Sequence, residues 1–413
     1  MVRPVANMKK KVLFVTTPLV CGGVERSLLS VLAFLPQDQF DVTLLLTEKS
    51  GALLPEVPSH VKVLEVPLAP LDRYELRHRR VPTLMHCLVH FHWIHAFHML
   101  WMRLMWVLGG RKEDYEIRVI RDMMTRVDQS KMPHAVDYAF AYAGRELTGC
   151  IVRYLVQARV SAIWCHDELA IENVSGGSWS DLYAAFDHRY GTHDMAMRIN
   201  ARVRDEKRKF EYMPYFISPD LYARKADEPH DVRFDVPGLK LLTVGRLCEQ
   251  KGIDQAISVA ARLKKEGCAF TWFVAGEGDD LEALQRQIQD EQVADCFVLL
   301  GNQLNPYPYF KRCDVYVQPS RWEAFCIAVA EARVFNRPIV ATDFVGAREQ
   351  LKDGVTGLVV PLDDPDGLCR AIQRLLDSPE LRDTFTANLS RENAGNADEA
   401  RKVWMSLMTE MQK

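Results

Sequence analysis

Charge imbalance is the first thing this 413-residue chain lacks, since 52 Lys and Arg set against 55 Asp and Glu leave a formal net charge of −3. So small a surplus argues against a general nucleic-acid binder and leaves only local basic patches to consider. Paired cysteines are lacking too. The 10 cysteines are scattered without a Cys-x-x-Cys or a recurring spacing, and Cys165 and Cys268 sit in apolar context. They read as buried free thiols of a reducing cytosol. No secretory leader precedes Lys9-Lys10-Lys11, because the apolar run at 12–15 is too short and ends in Thr16-Thr17-Pro18. The expected location is therefore cytoplasmic. A Gly-x-Gly-x-x-Gly fingerprint is absent as well, which disfavours a dinucleotide site.

What is present suits a soluble two-domain protein. The length favours two domains of roughly 150–220 residues, and a hydrophobic fraction of 48% is enough to build two cores. Residues 12–16 form a nearly continuous apolar run, as a parallel strand buried on both faces requires. The run breaks at Pro18, and Cys21-Gly22-Gly23-Val24-Glu25-Arg26 leads into a helical stretch at 27–35. Gly22 and Gly23 make either a plain turn or an anion cradle at a helix N-terminus. Further strands at 41–46 and 61–66 continue a doubly wound α/β pattern.

Regular spacing lapses at 70–130. Arg73, Arg77, Arg79 and Arg80 precede an apolar run at 84–108 whose length would suit a bilayer span of ~20 residues. His86, His90, His92, His95, His98 and Arg103 inside it argue against spanning. Two readings remain: an interfacial helix at the inner face of the membrane, flanked by Arg111 and Lys112, or a helix packed on its own domain. His86 and His90 have helical spacing but no acidic or cysteine partner motif, so no metal is expected. Order returns with a strand at 135–142, a helix at 146–157, and a strand ending in His166-Asp167. That pair falls at the carboxyl edge of a parallel sheet, where open α/β folds bind ligands; a turn cap or a satisfied buried histidine is the plainer alternative. Gly176, Gly177, Ser178, Trp179 and Tyr183 read as a mobile acceptor-side segment, and 198–209 as a solvated helix face. Residues 212–222, with Pro214 and Pro219, read as extended chain at a domain boundary.

The second half opens with a strand at 239–244 and Gly245-Arg246-Leu247-Cys248-Glu249-Gln250-Lys251-Gly252. Arg246 and Lys251 are two cations placed to hold a diphosphate, one through a fork and one as a point charge. A helix at 253–265, a strand at 270–275, a helix at 280–289, a strand at 297–300, the loop Gly301-Asn302-Gln303 and a helix from Tyr307 follow. A strand at 315–317 then runs into Pro319 and Ser320-Arg321-Trp322-Glu323-Ala324-Phe325-Cys326-Ile327-Ala328-Val329-Ala330-Glu331. Eight helical residues between Glu323 and Glu331 would span about 12 Å, beyond the roughly 5–9.5 Å of paired hydrolase carboxylates. The two acids suit two parts of one elongated ligand, with the N–H groups of Ala324, Phe325 and Cys326 aimed at an anion between them.

This stretch resembles the Glu-x7-Glu signature of retaining glycosyltransferases of the two-domain GT-B fold, most closely glycosyltransferase family 4. The loop Gly-Arg-Leu-x-x-x-Lys-Gly at 245–252 is similar to the same family's donor-binding loop. The family usually has Glu-Gly-Phe-Gly where this chain has Glu323-Ala324-Phe325-Cys326, so the loop departs from the pattern at two glycines.

The resemblance implies α/β architecture: two Rossmann-like doubly wound domains facing each other across a cleft, with a C-terminal helix crossing back. The expected boundaries are 1–215 with a helical insertion at about 70–130, a hinge at 216–237, a donor domain at 238–390 and a returning helix at 391–413, its core near 398–411. It implies transfer of a sugar, with retention, from a nucleotide-diphosphate sugar (UDP most of all) to a glycan or lipid-linked acceptor, with no cofactor and no metal. Arg246, Lys251, Glu323 and His166 would be catalytic. Gly22, Gly23, Asn302, Ala324, Phe325, Cys326, Ile327 and Glu331 would bind the donor. Within this, Glu331 would take the ribose hydroxyls, and Glu323 a hydroxyl of the donor sugar. A silent nucleotide-sugar-binding module, or a hydrolase or phosphorylase on the same fold, are the alternatives; a membrane scaffold would rest on 84–108 alone.

Overall fold

The computed structural model describes residues 9–68, 112–133, 135–144, 146–166 and 178–412. The apolar run at 84–108, Asp167, Gly176 and Gly177 lie outside the described residues, and with them the reading as an interfacial helix; of the segment read as mobile, Ser178, Trp179 and Tyr183 instead lie on the helix Ser178–Ala184, with Trp179 and Tyr183 buried. The chain divides into two compact units, Met1–Met213 with Leu407–Lys413, and Pro214–Ser406.

The first unit is built on seven parallel strands: β1 (Lys10–Thr16), β2 (Phe40–Leu46), β3 (Lys62–Glu65), β4 (Val136–Ala141), β5 (Ala158–Trp164), β6 (His188–Gly191) and β7 (Glu211–Tyr212), in the order β3-β2-β1-β4-β5-β6-β7. The second unit has six: β8 (Leu239–Val244), β9 (Phe270–Ala275), β10 (Phe297–Gly301), β11 (Val315–Gln318), β12 (Ile339–Thr342) and β13 (Leu358–Val360), in the order β10-β9-β8-β11-β12-β13. Both are the Rossmann-like, doubly wound pattern expected of GT-B. In each sheet the winding reverses beside the first strand, between β1 and β4 and between β8 and β11. Such a switch point opens a crevice at the strands' carboxyl ends.

The reason the strands read as solid apolar runs is visible in the second unit. Leu241, Trp272, Val274, Val315 and Val317 belong to one buried cluster, whereas their neighbours Leu242, Phe273, Ala275 and Tyr316 belong to another. Successive side chains feed opposite faces, and each face is covered by helices such as Ile253–Lys265 and Tyr307–Arg312. The Trp272 indole N–H donates to Thr243 Oγ1 at 3.0 Å, and Thr243 Oγ1 donates to the Val317 carbonyl at 2.7 Å, which satisfies the polar atoms inside that layer.

Several local expectations are corrected. The stretch read as extended at 212–222 contains the helix Pro219–Lys225, in which the Ser218 hydroxyl accepts from the Leu221 N–H at 3.4 Å and proline takes a first-turn position. Tyr222 of that helix and Phe234 beyond it are core residues of the second unit. The charged face read at 198–209 is the end of the helix His193–Arg202 followed by a single 3-10 turn, Glu206–Arg208. The last helix is far longer than 398–411: it runs Pro379–Gln412, 34 residues. It starts in the second unit, and its end from Leu407 belongs to the first, where the Tyr138 hydroxyl donates to the Glu410 carbonyl at 3.2 Å. Among the described residues no helix is long and apolar enough to cross a membrane.

Candidate functional site

In the second unit the candidate residues gather at the carboxyl ends of β8 and β11, on either side of the switch point. The loop after β8 carries Arg246 and Lys251; the loop after β11 carries Glu323. Lys251 Nζ and Glu323 Oε1 form an ion pair, with the two side chains only 14% and 8% exposed. Burial works against the charge on Lys251, but its ion pair and hydrogen bond with Glu323 favour it, and the ammonium is held above its ordinary value. Glu323 Oε1 also accepts from the Ser320 hydroxyl at 2.9 Å. An ammonium has three N–H donors, so pairing with Glu323 leaves Lys251 donors for a ligand. Arg246 is exposed, and its Nη2 donates to Gln250 Oε1 at 2.9 Å.

The two loops are stitched into one piece. Gln250 Nε2 donates to the Trp322 carbonyl at 3.1 Å, and the Arg321 N–H to the Gln250 carbonyl at 2.8 Å. The Arg321 guanidinium grips Asp254 with both nitrogens, at 2.7 and 2.6 Å. Burial pushes the Asp254 carboxyl up, yet this fork more than reverses the effect and its value is lowered. Gln255 Nε2 donates to the Pro319 carbonyl. Cations and carboxylate are thus held by a network in which the placement of each depends on the others.

Ala324, Phe325, Cys326 and Ile327 follow Glu323, and the helix Ile327–Val334 begins at Cys326 as its N-cap. Cys326 has φ 67° and ψ 83°, the left-handed region that glycine enters freely and that costs another residue about 1–2 kcal/mol. The backbone therefore keeps the course that a glycine would allow, while the thiol joins the buried cluster beside Val329 and Ala341. Burial, then Glu323, raise the Cys326 thiol far above its ordinary range, so it is a neutral group. Gln350 Nε2 ties the loop down from the other side through the Phe325 carbonyl. The Phe325 ring lies against Tyr215, centroids 4.8 Å apart. Glu331 is on the helix and buried, at 3% exposure. Asn302 stands apart from this group: it is exposed on the loop after β10, the edge strand, where neighbouring Gln303 bonds the Leu300 carbonyl and Tyr309.

The first unit gathers a second group. Gly22 is the N-cap of the helix Gly23–Phe34 after β1, so the helix starts four residues earlier than the sequence pattern suggests. Ser27 Oγ on that helix lies 3.0 Å from the Tyr142 hydroxyl after β4. His166, just past β5, donates from Nε2 to the Tyr142 carbonyl at 2.5 Å, and its ring lies 4.7 Å from that of Trp164. That bond makes Nδ1 the lone-pair nitrogen of the neutral ring. Tyr142 and Gln318 were not singled out from sequence, and Ser320 was read only as the start of the stretch that ends in Glu331. Their only signal was polar side chains at the ends of strands that otherwise carry apolar ones. Among the described residues, no three or more His, Cys, Asp or Glu side chains are arranged to hold a metal ion.

Comparisons with known proteins agree with this architecture. Residues 225–391 match the family described as glycosyl transferases group 1. The chain is 27% identical over 303 residues to the alpha-D-kanosaminyltransferase of Streptomyces kanamyceticus, covering 69% of this chain and 75% of that protein. A shorter match, 31% over 149 residues, joins it to the N-acetylgalactosamine-N,N'-diacetylbacillosaminyl-diphospho-undecaprenol 4-alpha-N-acetylgalactosaminyltransferase of Campylobacter jejuni, covering 35% of this chain and 39% of that one. In fold, it resembles the Anabaena protein HepE solved in complex with UDP-glucose, with a TM-score of 0.68 at 16% identity over 97% of this chain and 99% of that one. The fold defines the class, GT-B. The family match and the matches to named relatives are all to glycosyltransferases.

Proposed function

We propose that the chain transfers a sugar, with retention at the anomeric carbon, from a nucleotide-diphosphate sugar to a hydroxyl of a glycan or lipid-linked acceptor. The carrying observation is the buried Lys251–Glu323 pair at the β8–β11 switch point, with Arg246 exposed on the same loop. Two cations at the carboxyl ends of the strands stabilise a departing diphosphate as its negative charge develops. The Glu323 carboxylate in the same piece is assigned to accept from a sugar hydroxyl, and Glu331 from the ribose. Gly22, Gly23 and His166 of the first unit are assigned to the same reaction, and Asn302 to the nucleoside. UDP is the proposed nucleotide, the one carried by the UDP-glucose that the HepE structure names. Assembly of an envelope polysaccharide or glycolipid is the proposed pathway, supported by the diphospho-undecaprenol acceptor in the name of the Campylobacter jejuni relative. Nine cysteines among the described residues, all free, suit work in the reducing cytoplasm, at the inner membrane face if the acceptor is lipid-linked.

The test is a thermal-shift panel of UDP, GDP, ADP and CMP with their common sugar conjugates, with and without EDTA, on wild type and Arg246→Ala. One diphosphate is expected to raise the wild-type melting temperature, EDTA to leave the shift unchanged, and Arg246→Ala to abolish it and slow turnover about 10²-fold. No shift from any nucleotide would overturn the proposal. Binding with no sugar transfer to any acceptor would leave a silent module in its place.

A further inference from the structure

Tyr316 and Gln318 on β11, and Ser320 just past its end, fall at alternate positions and so share one face of the strand. None of the three has any exposed surface. Polar side chains so deeply buried are costly unless they are bonded, and here they bond one another in a single direction. The Tyr316 hydroxyl donates to Gln318 Oε1. Gln318 Nε2 donates to Ser320 Oγ at 2.7 Å, and Ser320 Oγ donates to Glu323 Oε1 at 2.9 Å. Every step runs donor to acceptor toward the carboxylate. Burial raises Tyr316 well above its ordinary range, so the phenol stays a donor. The amide of Gln318 passes that polarity on, since one end accepts while the other donates. The end of the ladder next to Glu323 is anchored as well, because the Thr342 hydroxyl donates to the Ser320 carbonyl.

We propose that Tyr316, Gln318 and Ser320 are positioning residues that set the orientation of the Glu323 carboxylate for a hydroxyl of the donor sugar. This rests on the reading of Glu323 given above. The ladder ends on Glu323 Oε1, the oxygen that also pairs with Lys251, and does not reach Arg246. Its loss therefore weakens recognition of the sugar more than recognition of the diphosphate, whereas a merely structural role for three core residues would weaken both alike.

The experiment uses the full chain as wild type, Tyr316→Phe and Gln318→Leu. Calorimetry measures affinity for UDP against UDP-glucose and for GDP against GDP-mannose, following whichever pair the wild type binds. Tyr316→Phe removes one oxygen and keeps the ring, so it reports even where Gln318→Leu folds poorly. Each variant is expected to bind the nucleotide sugar about three- to tenfold more weakly, the range one hydrogen bond supplies. Affinity for the free diphosphate should fall clearly less, and KM for the donor should rise with the loss. Equal weakening toward both ligands, or none toward either, overturns the ladder and leaves the glycosyltransferase reading standing. A wild type that binds no nucleotide and no nucleotide sugar overturns that reading, and the ladder's role with it.

Discussion

Lys251→Ala should lose at least about 10²-fold in turnover and also unfold at markedly lower denaturant. The carboxylate of Glu323 is only 8% exposed, and after the substitution it would keep the Ser320 hydroxyl but no cation. Removing one partner of a buried pair costs about 3–5 kcal/mol, more than the pair itself is worth, because the other charge is left without compensation. The double variant Lys251→Met with Glu323→Gln removes both charges while keeping much of the volume. It should recover most of the lost stability and none of the activity. Urea melts and initial rates on the three proteins separate the two effects. If the double variant is as unstable as Lys251→Ala, packing rather than charge holds these loops together. If Lys251→Ala keeps its activity, Lys251 has no part in the chemistry. The pH dependence has a definite sign. The folded-state value of Lys251 is raised above the ordinary 10.5, so its contribution is fully present below the unfolded value and disappears as pH rises through the folded one. The stability difference between wild type and the double variant should accordingly shrink only at strongly alkaline pH.

How much of this was legible depends on what a residue type can announce. In the second unit the strands at 239–244 and 270–275 and the helix at 253–265 coincide with the observed elements. Strands buried on both faces read as unbroken apolar runs, and glycines mark their ends. The first unit hid more. Strand β6, His188–Gly191, carries two basic side chains in four residues, and β7 is two exposed residues at the sheet edge. Neither has the alternation or the apolar content that would reveal it. The helix Pro219–Lys225 was hidden by the proline that opens it, since Pro219 follows a capping serine and is a start signal rather than a break. The long final helix kept only its apolar end visible around Trp404, whose indole N–H donates to the Pro214 carbonyl at 3.2 Å. At the site, Arg246, Lys251, Glu323 and Glu331 stood out because charge near an apolar strand is chemically conspicuous. Gln318 and Tyr316 did not, because a tyrosine or glutamine in a strand ordinarily reads as packing; only the distances make them a ladder.

The backbone that carries the site has one weak point, and it makes the second large effect. Gly252 has φ 63°, and a β-carbon there would stand 2.0 Å from the carbonyl oxygen of Pro319. Two penalties coincide in Gly252→Ala: the left-handed conformation, about 1–2 kcal/mol for a residue with a side chain, and a collision with main chain that has no rotamer to escape into. The strain can be relieved only by moving the loop after β8 away from the loop after β11, and that is the gap bridged by Lys251 and Glu323. Gly267→Ala supplies the control. Gly267 has a similar φ of 81°, and a β-carbon there meets nothing within 4 Å, so it should lose only the conformational cost and keep full activity. Gly252→Ala is expected to lose clearly more stability than Gly267→Ala in urea melts, and to lose activity in whatever fraction remains folded. Equal stability losses would mean that the loops part without cost. Full activity in folded Gly252→Ala would mean that the spacing of Lys251 and Glu323 does not set the rate, and the assignment of catalysis to the joined loops would fall with it.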